Sequence, residues 1–372
     1  MKIASFLVSI TITFNLLSQV VSFDNETINY FENGTIREKG KTINGQKQGE
    51  WFSYYYTSQI KEKAKYSNGK LDGELLEFYA NGNTKEKKYF TLGLQQGEYY
   101  LYYEDGTLQE KGKYSMGELI DDWISYYPNG KIKSTGNYEN GLKTKEWINL
   151  YDNTQIEQKG IYKDGKKQGE WIRYYYDGIL KEKGNYINDL EDSTWNYFYA
   201  TGELEMSIHF SLGKKDGERK MYYKNGQLEK KDTYINDDET GNWIKYFENG
   251  QIAEKGKFTH WKKDGEWVYY YPNGTLKEKG VYISDKKNGY WETFFENGTI
   301  SSSMNYENGI LNGIYIDYYL DGQLEGKGSY KNDLQEGEWL YIFYLNNEII
   351  ESRGSFVEGK KMNDWVVNKR KD

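Results

Sequence analysis

Asp264–Tyr282 reads D-G-E-W-V-Y-Y-Y-P-N-G-T-L-K-E-K-G-V-Y: an aromatic run, a turn signal, then a run that alternates apolar with charged residues. Asn-Gly between two such runs is a strong short-range hairpin signal, because both residues tolerate the positive φ of a type I′ turn. With the turn at Asn273-Gly274, Pro272 pairs with Thr275, Tyr271 with Leu276, Tyr269 with Glu278, and Trp267 with Gly280. Strand side chains alternate in period two. That register puts Trp267, Tyr271, Leu276 and Gly280 on one face, with Tyr282 beyond them, and Val268, Tyr270, Lys277 and Lys279 on the other. An indole opposite a glycine fills the space of the missing side chain and pins register.

Outward from this stretch the pattern returns every 24 residues. Trp occupies positions 51, 123, 147, 171, 195, 243, 267, 291 and 339, while Leu75, Tyr99, Arg219 and Tyr315 fill the remaining slots. Nine residues on stands an apolar residue such as Ile60, Ile132, Leu180 or Leu276, with Thr84 as the exception. Fifteen residues on stands an aromatic, from Tyr66 to Tyr330. The phase slips at the end, where Trp339 to Trp365 is 26 residues. Such self-similarity means an array in which neighbouring repeats bury one another's apolar faces. The expected fold is all-β: an elongated array of about thirteen antiparallel hairpins forming a twisted single sheet or trough. Arg219 opposite Asp232, Arg173 opposite Glu182 and Lys245 opposite Glu254 are expected as cross-strand ion pairs. Glu77 opposite Glu86 runs against that register.

A chain of 372 residues exceeds an ordinary single domain, but an array needs no single core. Tyr 39, Trp 11 and Gly 40 with only Pro 2 is the composition of many short strands joined by turns. Net charge is −8, with lysines and glutamates interspersed, which argues against nucleic acid and anionic membrane as main partners. Without cysteine, disulfides, thiol catalysis and thiolate metal sites are excluded.

In chain order, Met1–Ser22 reads as a secretory leader: Lys2, an apolar run from Ile3 to Val21, and small residues before a cut ahead of Phe23. The polar residues within that run weaken it as a membrane span, so no span is expected after cleavage, and the protein is expected to be secreted or periplasmic. Residues 23–372 form the array, with 23–50 as an N-terminal capping half-repeat and 340–372 as a C-terminal cap. Stretches such as Tyr162–Glu170 read as polar links, with Lys166 and Lys167 solvated.

The unit Tyr-x-x-Gly-Lys-x-x-Gly-Glu-Trp-x-x-Tyr-Tyr-x-Asn-Gly-x-Leu-Lys-Glu-Lys-Gly-x-Tyr, visible in Tyr162–Tyr186 and Phe258–Tyr282, resembles the MORN-repeat variant common in bacterial proteins. The resemblance covers essentially all of the chain after the leader and implies stacked antiparallel hairpins without catalytic residues. Eukaryotic relatives are associated with membranes, phosphoinositides and scaffolding, and many bacterial ones are classed as antitoxin components of toxin–antitoxin pairs.

Chemistry-bearing residues are sparse. His209 and His260 stand in different repeats, where neither completes a metal site or a nucleophile–base pair. Lys-Glu-Lys triplets at 61–63, 85–87, 181–183 and 277–279 repeat, whereas a glycosidase needs one special carboxylate pair. No catalytic, cofactor or metal residue is therefore expected. One aromatic per repeat falls on the face opposite the tryptophans and beside lysines, among them Tyr102, Tyr126, Tyr174, Tyr222, Tyr246, Tyr270, Phe294 and Tyr318. Such rings form a candidate binding surface or a layer shielded under lysine stems. Trp261 is the one tryptophan before Trp365 that is off phase, and stands beside His260 as a surface contact or a loop plug.

The leading functional expectation is a non-enzymatic scaffold for protein or cell-envelope partners, with homodimerisation as an option. A glycan- or cell-wall-binding module using the aromatic ladder is the alternative. An antitoxin-like role is a third.

Overall fold

The computed structural model describes residues 24–345 and 348–371; the expected leader, Met1–Ser22, lies outside them. The chain divides into two compact units, Met1–Ile132 with Tyr138–Gly141, and Lys133–Asn137 with Leu142–Asp372. The described residues of both form antiparallel β-strands, successive ones paired as hairpins, and contain no helix. In the first unit, Asp24–Tyr30 pairs with Ile36–Ile43, and Gln46–Tyr54 with Ile60–Ser67. In the second, Lys166–Tyr174 pairs with Leu180–Ile187, and Gly265–Tyr270 with Leu276–Ile283.

The expected register holds in the body of the hairpin: Trp267 faces Gly280, and Tyr269 faces Glu278. Near the turn it shifts by one residue, so that Leu276 pairs with Tyr270, not Tyr271. Paired residues project to the same side of a sheet. The Leu slot therefore shares a face with Val268 and Tyr270, and the expected placement of Leu276 beside Trp267 is corrected. Packing agrees: Leu324, in the same slot, packs against Leu340, Ile342 and Ile349. Lys277, the residue displaced by the shift, lies 5.6 Å over the Tyr271 ring.

The turn explains the shift. Gly274 N–H donates to Tyr271 O at 2.9 Å, and Tyr271 N–H to Thr275 O at 2.8 Å. Only Gly274 has positive φ, +85°, and Asn273 does not. This is a type I turn followed by a left-handed glycine, with Pro272 at the position its fixed φ suits. The expected type I′ turn at Asn273-Gly274 is thus wrong. Asn273 serves through its side chain instead, accepting from Thr275 N–H at 2.9 Å and donating to Glu296 O of the following turn at 3.3 Å.

Type I′ turns do occur, at the opposite end of the strands. Asp164 and Gly165 have φ of 51° and 79°, between the paired residues Lys163 and Lys166. The expected polar links are therefore strand, and Lys166 and Lys167 are ladder residues. Where Asp replaces Gly in these turns its carboxylate compensates: Asp189 accepts from Lys167 N–H at 2.7 Å, and Asp285 from Lys263 N–H at 2.7 Å.

A second irregularity recurs just before each tryptophan. Gly160 pairs with Trp171 but Ile161 pairs with Gln168, so Gly169 and Glu170 bulge from the ladder. Gly169 has φ +71°. Asp121, Lys145 and Ser193 hold the equivalent position at 61°, 58° and 61°, so the bulge persists without glycine. In the last hairpin, Leu334–Leu345 with Glu348–Val357, register runs unshifted toward the tip, and the two extra residues of the 26-residue spacing lengthen the strands.

Candidate functional site

The periodic tryptophans are the core. Trp267 and Trp291 are fully buried, and Trp51, Trp147, Trp171, Trp195, Trp243 and Trp339 are buried as well; Trp123 is half-buried. The indole does not fill the space over the glycine of its own hairpin. A Cβ on Gly280 would lie 2.1 Å from the ring of Trp291, and one on Gly256 would lie 2.3 Å from that of Trp267. Each ring is seated on the glycine eleven residues earlier, in the preceding hairpin. In most hairpins the ring's Nε1–H donates to the carbonyl of the residue after that glycine, whereas Trp339, seated on Gly328, has a buried Nε1 without a partner. Trp267 reaches Lys257 O at 3.2 Å, Trp171 reaches Ile161 O at 3.2 Å, and Trp51 reaches Lys41 O at 3.0 Å.

Substitutions follow the seat. Leu75, Tyr99, Arg219 and Tyr315 replace tryptophan, and eleven residues before them stand Ala64, Lys88, Ile208 and Met304 instead of glycine. The exception is Trp243, which follows Asp232 and whose buried Nε1 has no hydrogen-bond partner.

Over this aromatic layer lie lysines from four residues before the tryptophan. Lys263 Nζ sits 3.9 Å from the Trp267 ring, Lys167 4.4 Å from Trp171, and Lys287 4.1 Å from Trp291. Burial pulls Lys143, Lys167 and Lys263 below the usual lysine pKa. The aromatic fifteen residues after each Trp packs edge-on, as Tyr282 does against Trp291 at 5.0 Å.

The opposite face carries the candidate ladder. Tyr102, Tyr126, Tyr174, Tyr222, Tyr246, Tyr270, Phe294 and Tyr318 are all half-buried. Lysines of the preceding hairpin reach over several such rings: Lys255 lies 5.7 Å from Tyr270, and Lys279 5.9 Å from Phe294. Trp261 is placed differently. It occupies the second position of a type I′ turn at φ 63°, is 54% exposed, and meets the Tyr234 edge at 5.7 Å. His260 bonds Asp238 through Nδ1, while His209 lies 3.4 Å from Thr194, so the two histidines form no common site.

Of the expected ion pairs, Arg173–Glu182 forms at 3.3 Å, and Glu254 turns from Lys245 to Lys263 at 3.7 Å. Glu77 and Glu86 do face one another, and Lys88, standing where other repeats have glycine, bridges them at 3.5 and 2.6 Å. Arg219 grips Asp232 through two bonds of 2.9 and 2.5 Å, and Lys230 adds a third at 2.9 Å. Glu239 joins this cluster, 3.5 Å from Lys230. Burial pushes the Asp232 carboxyl up, but hydrogen bonds from Arg219 and Lys230 outweigh it and hold it below the carboxylate range. Burial, then contact with Asp232, pushes Glu239 up. Environments that split two carboxyls are what acid–base catalysis uses. Here both groups are sealed, Asp232 at 1% and Glu239 at 8% exposure, so no substrate reaches them. They fill the volume that a missing indole and a missing glycine leave.

One hollow breaks the repeat. Ten residues after the tryptophan slot most repeats have long side chains such as Lys61, Lys133, Lys181, Glu205 and Glu229, but here stands Ala253, with Ser301 the other short residue. Over it opens a space of about 380 Å³, lined by Tyr223, Phe247, Tyr269, Lys245, Lys277, Glu254 and Glu278 and bordered by the ladder residues Tyr246 and Tyr270. Sequence reasoning missed it, although a small residue in a mostly long slot was the signal. Among the described residues no cluster of acids and histidines suited to a metal is present.

The model of the MORN repeat variant family matches ten segments: 47–68, 71–91, 95–115, 122–140, 167–188, 215–236, 239–260, 263–284, 287–308 and 311–332. No curated protein matches the chain. Among solved structures, a Photorhabdus luminescens Tc holotoxin pore aligns at 11% identity over 91% of this chain and 21% of that one, with a TM-score of 0.17. The alignment thus spans about a fifth of that toxin chain, at a score that bears on neither fold nor function.

Proposed function

The chain belongs to the MORN repeat variant family, and from that premise we propose that it is a non-enzymatic, secreted or periplasmic scaffold binding protein or cell-envelope partners along its repeated surface. The observation that carries this reading is the recurrence of a half-buried aromatic in nearly every hairpin of that face, some beneath a lysine of the preceding hairpin, as at Tyr270 and Phe294. Two strand spacings of about 4.8 Å set the interval between such contacts at about 10 Å. A row of weak, evenly spaced contacts gains affinity through effective concentration and needs no deep pocket. The sealing of Asp232 and Glu239, a carboxylate pair with split environments, supports a non-catalytic role.

The test is retention of the purified chain on envelope fractions before and after protease treatment. Loss of retention after protease favours a protein partner, and loss on replacing Tyr246, Tyr270 and Phe294 by Ala places the contact on that face. Retention that survives the triple replacement would refute the use of that face. A glycan reading has one observation in its favour, the hollow over Ala253. N-terminal sequencing of the exported chain tests the leader, a first residue of Phe23 being the expected result.

A further inference from the structure

The hollow over Ala253 borders the aromatic ladder at Tyr246 and Tyr270, but the inference drawn from it does not need the scaffold reading, because it is tested at Ala253 and Lys245, outside the ladder. Its walls are chemically particular. The rings of Tyr223, Phe247 and Tyr269 border it. Two of their polar handles are engaged, since Tyr223 donates to Tyr246 O at 2.8 Å and Tyr269 accepts from Lys263 at 2.9 Å. What those rings offer a ligand is mainly apolar carbon. Glu254 and Glu278 stand at its rim, each neutralised by a lysine of the aromatic layer, Lys263 at 3.7 Å and Lys287 in direct contact. Lys245 also lines the space, and among the described residues it has no ion-pair partner, because its register partner Glu254 has turned to Lys263.

We propose that this hollow is a binding site for an acidic sugar, a pyranose carrying a carboxylate. Aromatic carbon suits the C–H face of a pyranose ring. The rim carboxylates accept its hydroxyl hydrogens, and they do so without repelling an anion, since lysines already balance their charge. The ammonium of Lys245 takes the carboxylate as a charge-assisted hydrogen bond. A space of about 380 Å³ is at the small end of ligand pockets, the size for one or two sugar rings. Most other hairpins carry a lysine, glutamate or glutamine stem where Ala253 leaves room, Ser301 being the other short residue in that slot.

The experiment is calorimetric titration of the full chain with a galacturonate disaccharide, its neutral galactose counterpart, and the same pair for glucuronate and glucose. Saturable binding of at least one acidic disaccharide is expected, at least about tenfold tighter than its neutral counterpart. Ala253→Lys, which installs the residue other hairpins carry in that slot, should weaken it at least about tenfold, and Ala253→Glu should do so too should the lysine variant fold poorly. Lys245→Ala should narrow the acidic-over-neutral preference. Absence of saturable heat at millimolar acidic sugar, equal binding of acidic and neutral forms, or undiminished binding by a folded slot variant would each overturn the proposal.

Discussion

Trp267 and Trp243 occupy the same slot in adjacent hairpins, and the residue eleven positions before each differs: Gly256 for one, Asp232 for the other. Trp267 lies on Gly256 with its N–H bonded to Lys257 O, fully buried and satisfied. Trp243 follows Asp232, whose carboxylate is turned to Arg219 and Lys230, and its N–H is left without a partner. The glycine is therefore a seat for the ring of the next hairpin, and only secondarily a register marker in its own. Where the next hairpin has no tryptophan the seat is free to change, as Ala64, Lys88, Ile208 and Met304 show. At Asp232 two demands meet: it pairs with Arg219 on one side and stands in the glycine seat of Trp243 on the other.

The largest effect expected on this contrast is at the irregular hairpin. Asp232→Ala should cost about 3–5 kcal/mol, because it strands Arg219 and Lys230 in a buried site. Amide exchange across 214–246 should register it, and a loss under about 1 kcal/mol would mean that the cluster is solvated rather than sealed.

At the regular hairpin, Gly280→Ala should cost about 1–3 kcal/mol by overpacking against Trp291. Trp291→Leu should restore part of that loss, as the natural pair Ala64 and Leu75 suggests, whereas Trp267→Leu should not. Rescue by the second change and not the first would return the glycine to its own hairpin's tryptophan.

The pH response separates the two hairpins further. Glu239 is raised above its ordinary 4.5, so its folded form holds the proton more tightly than the unfolded chain does. Its contribution is complete below about pH 4.5 and is lost as pH rises through the elevated folded value. Glu239→Gln should therefore gain stability over wild type as pH climbs above 4.5, and thermal melts from pH 4 to 8 should show the gap opening upward. Asp232, held low, acts in the opposite sense: its contribution is present above the ordinary aspartate value of 3.8 and is lost as pH falls through the folded value.

The smallest effect concerns the bulge. Lys145 holds the position before Trp147 at φ 58°, where other hairpins use glycine. Lys145→Gly should stabilise by about 1 kcal/mol, the left-handed penalty less the entropy that glycine brings. A neutral or destabilising result would show that the ladder around Trp147 relaxes differently.

Much of this was legible from residues alone. Period two and period 24 fixed strand, hairpin and ladder, and the Arg219–Asp232 contact followed from register. Two turn types were exchanged, because Asn-Gly is compatible both with type I′ and with the end of a type I turn followed by a left-handed glycine, and only φ at Asn273 distinguishes them. That exchange sent Leu276 to the wrong face. The seat was readable but misread: Trp51, Trp195 and Trp291 have Ala64, Ile208 and Met304 opposite them, while glycine stands eleven residues before each. A single conspicuous charge pair drew attention to the wrong partner. The hollow over Ala253 depends on what neighbouring side chains leave empty, and a linear pattern records that only as a short residue, like Ser301, in a column of mostly long ones.

Because host and guest of each seat belong to successive hairpins, the length of such a chain is heritable under a matching rule. Excising any whole period between Gly136 and Trp195 rejoins a bare position to an indole eleven residues downstream, leaving every stacking contact intact. Excising 212–235 would set Trp243 upon Ile208, and excising 236–259 would set Trp267 upon Asp232. Gene-level slippage is thus silent in one stretch of this molecule and punished in another, so irregular joints act as anchors that fix how many repeats lie on either side.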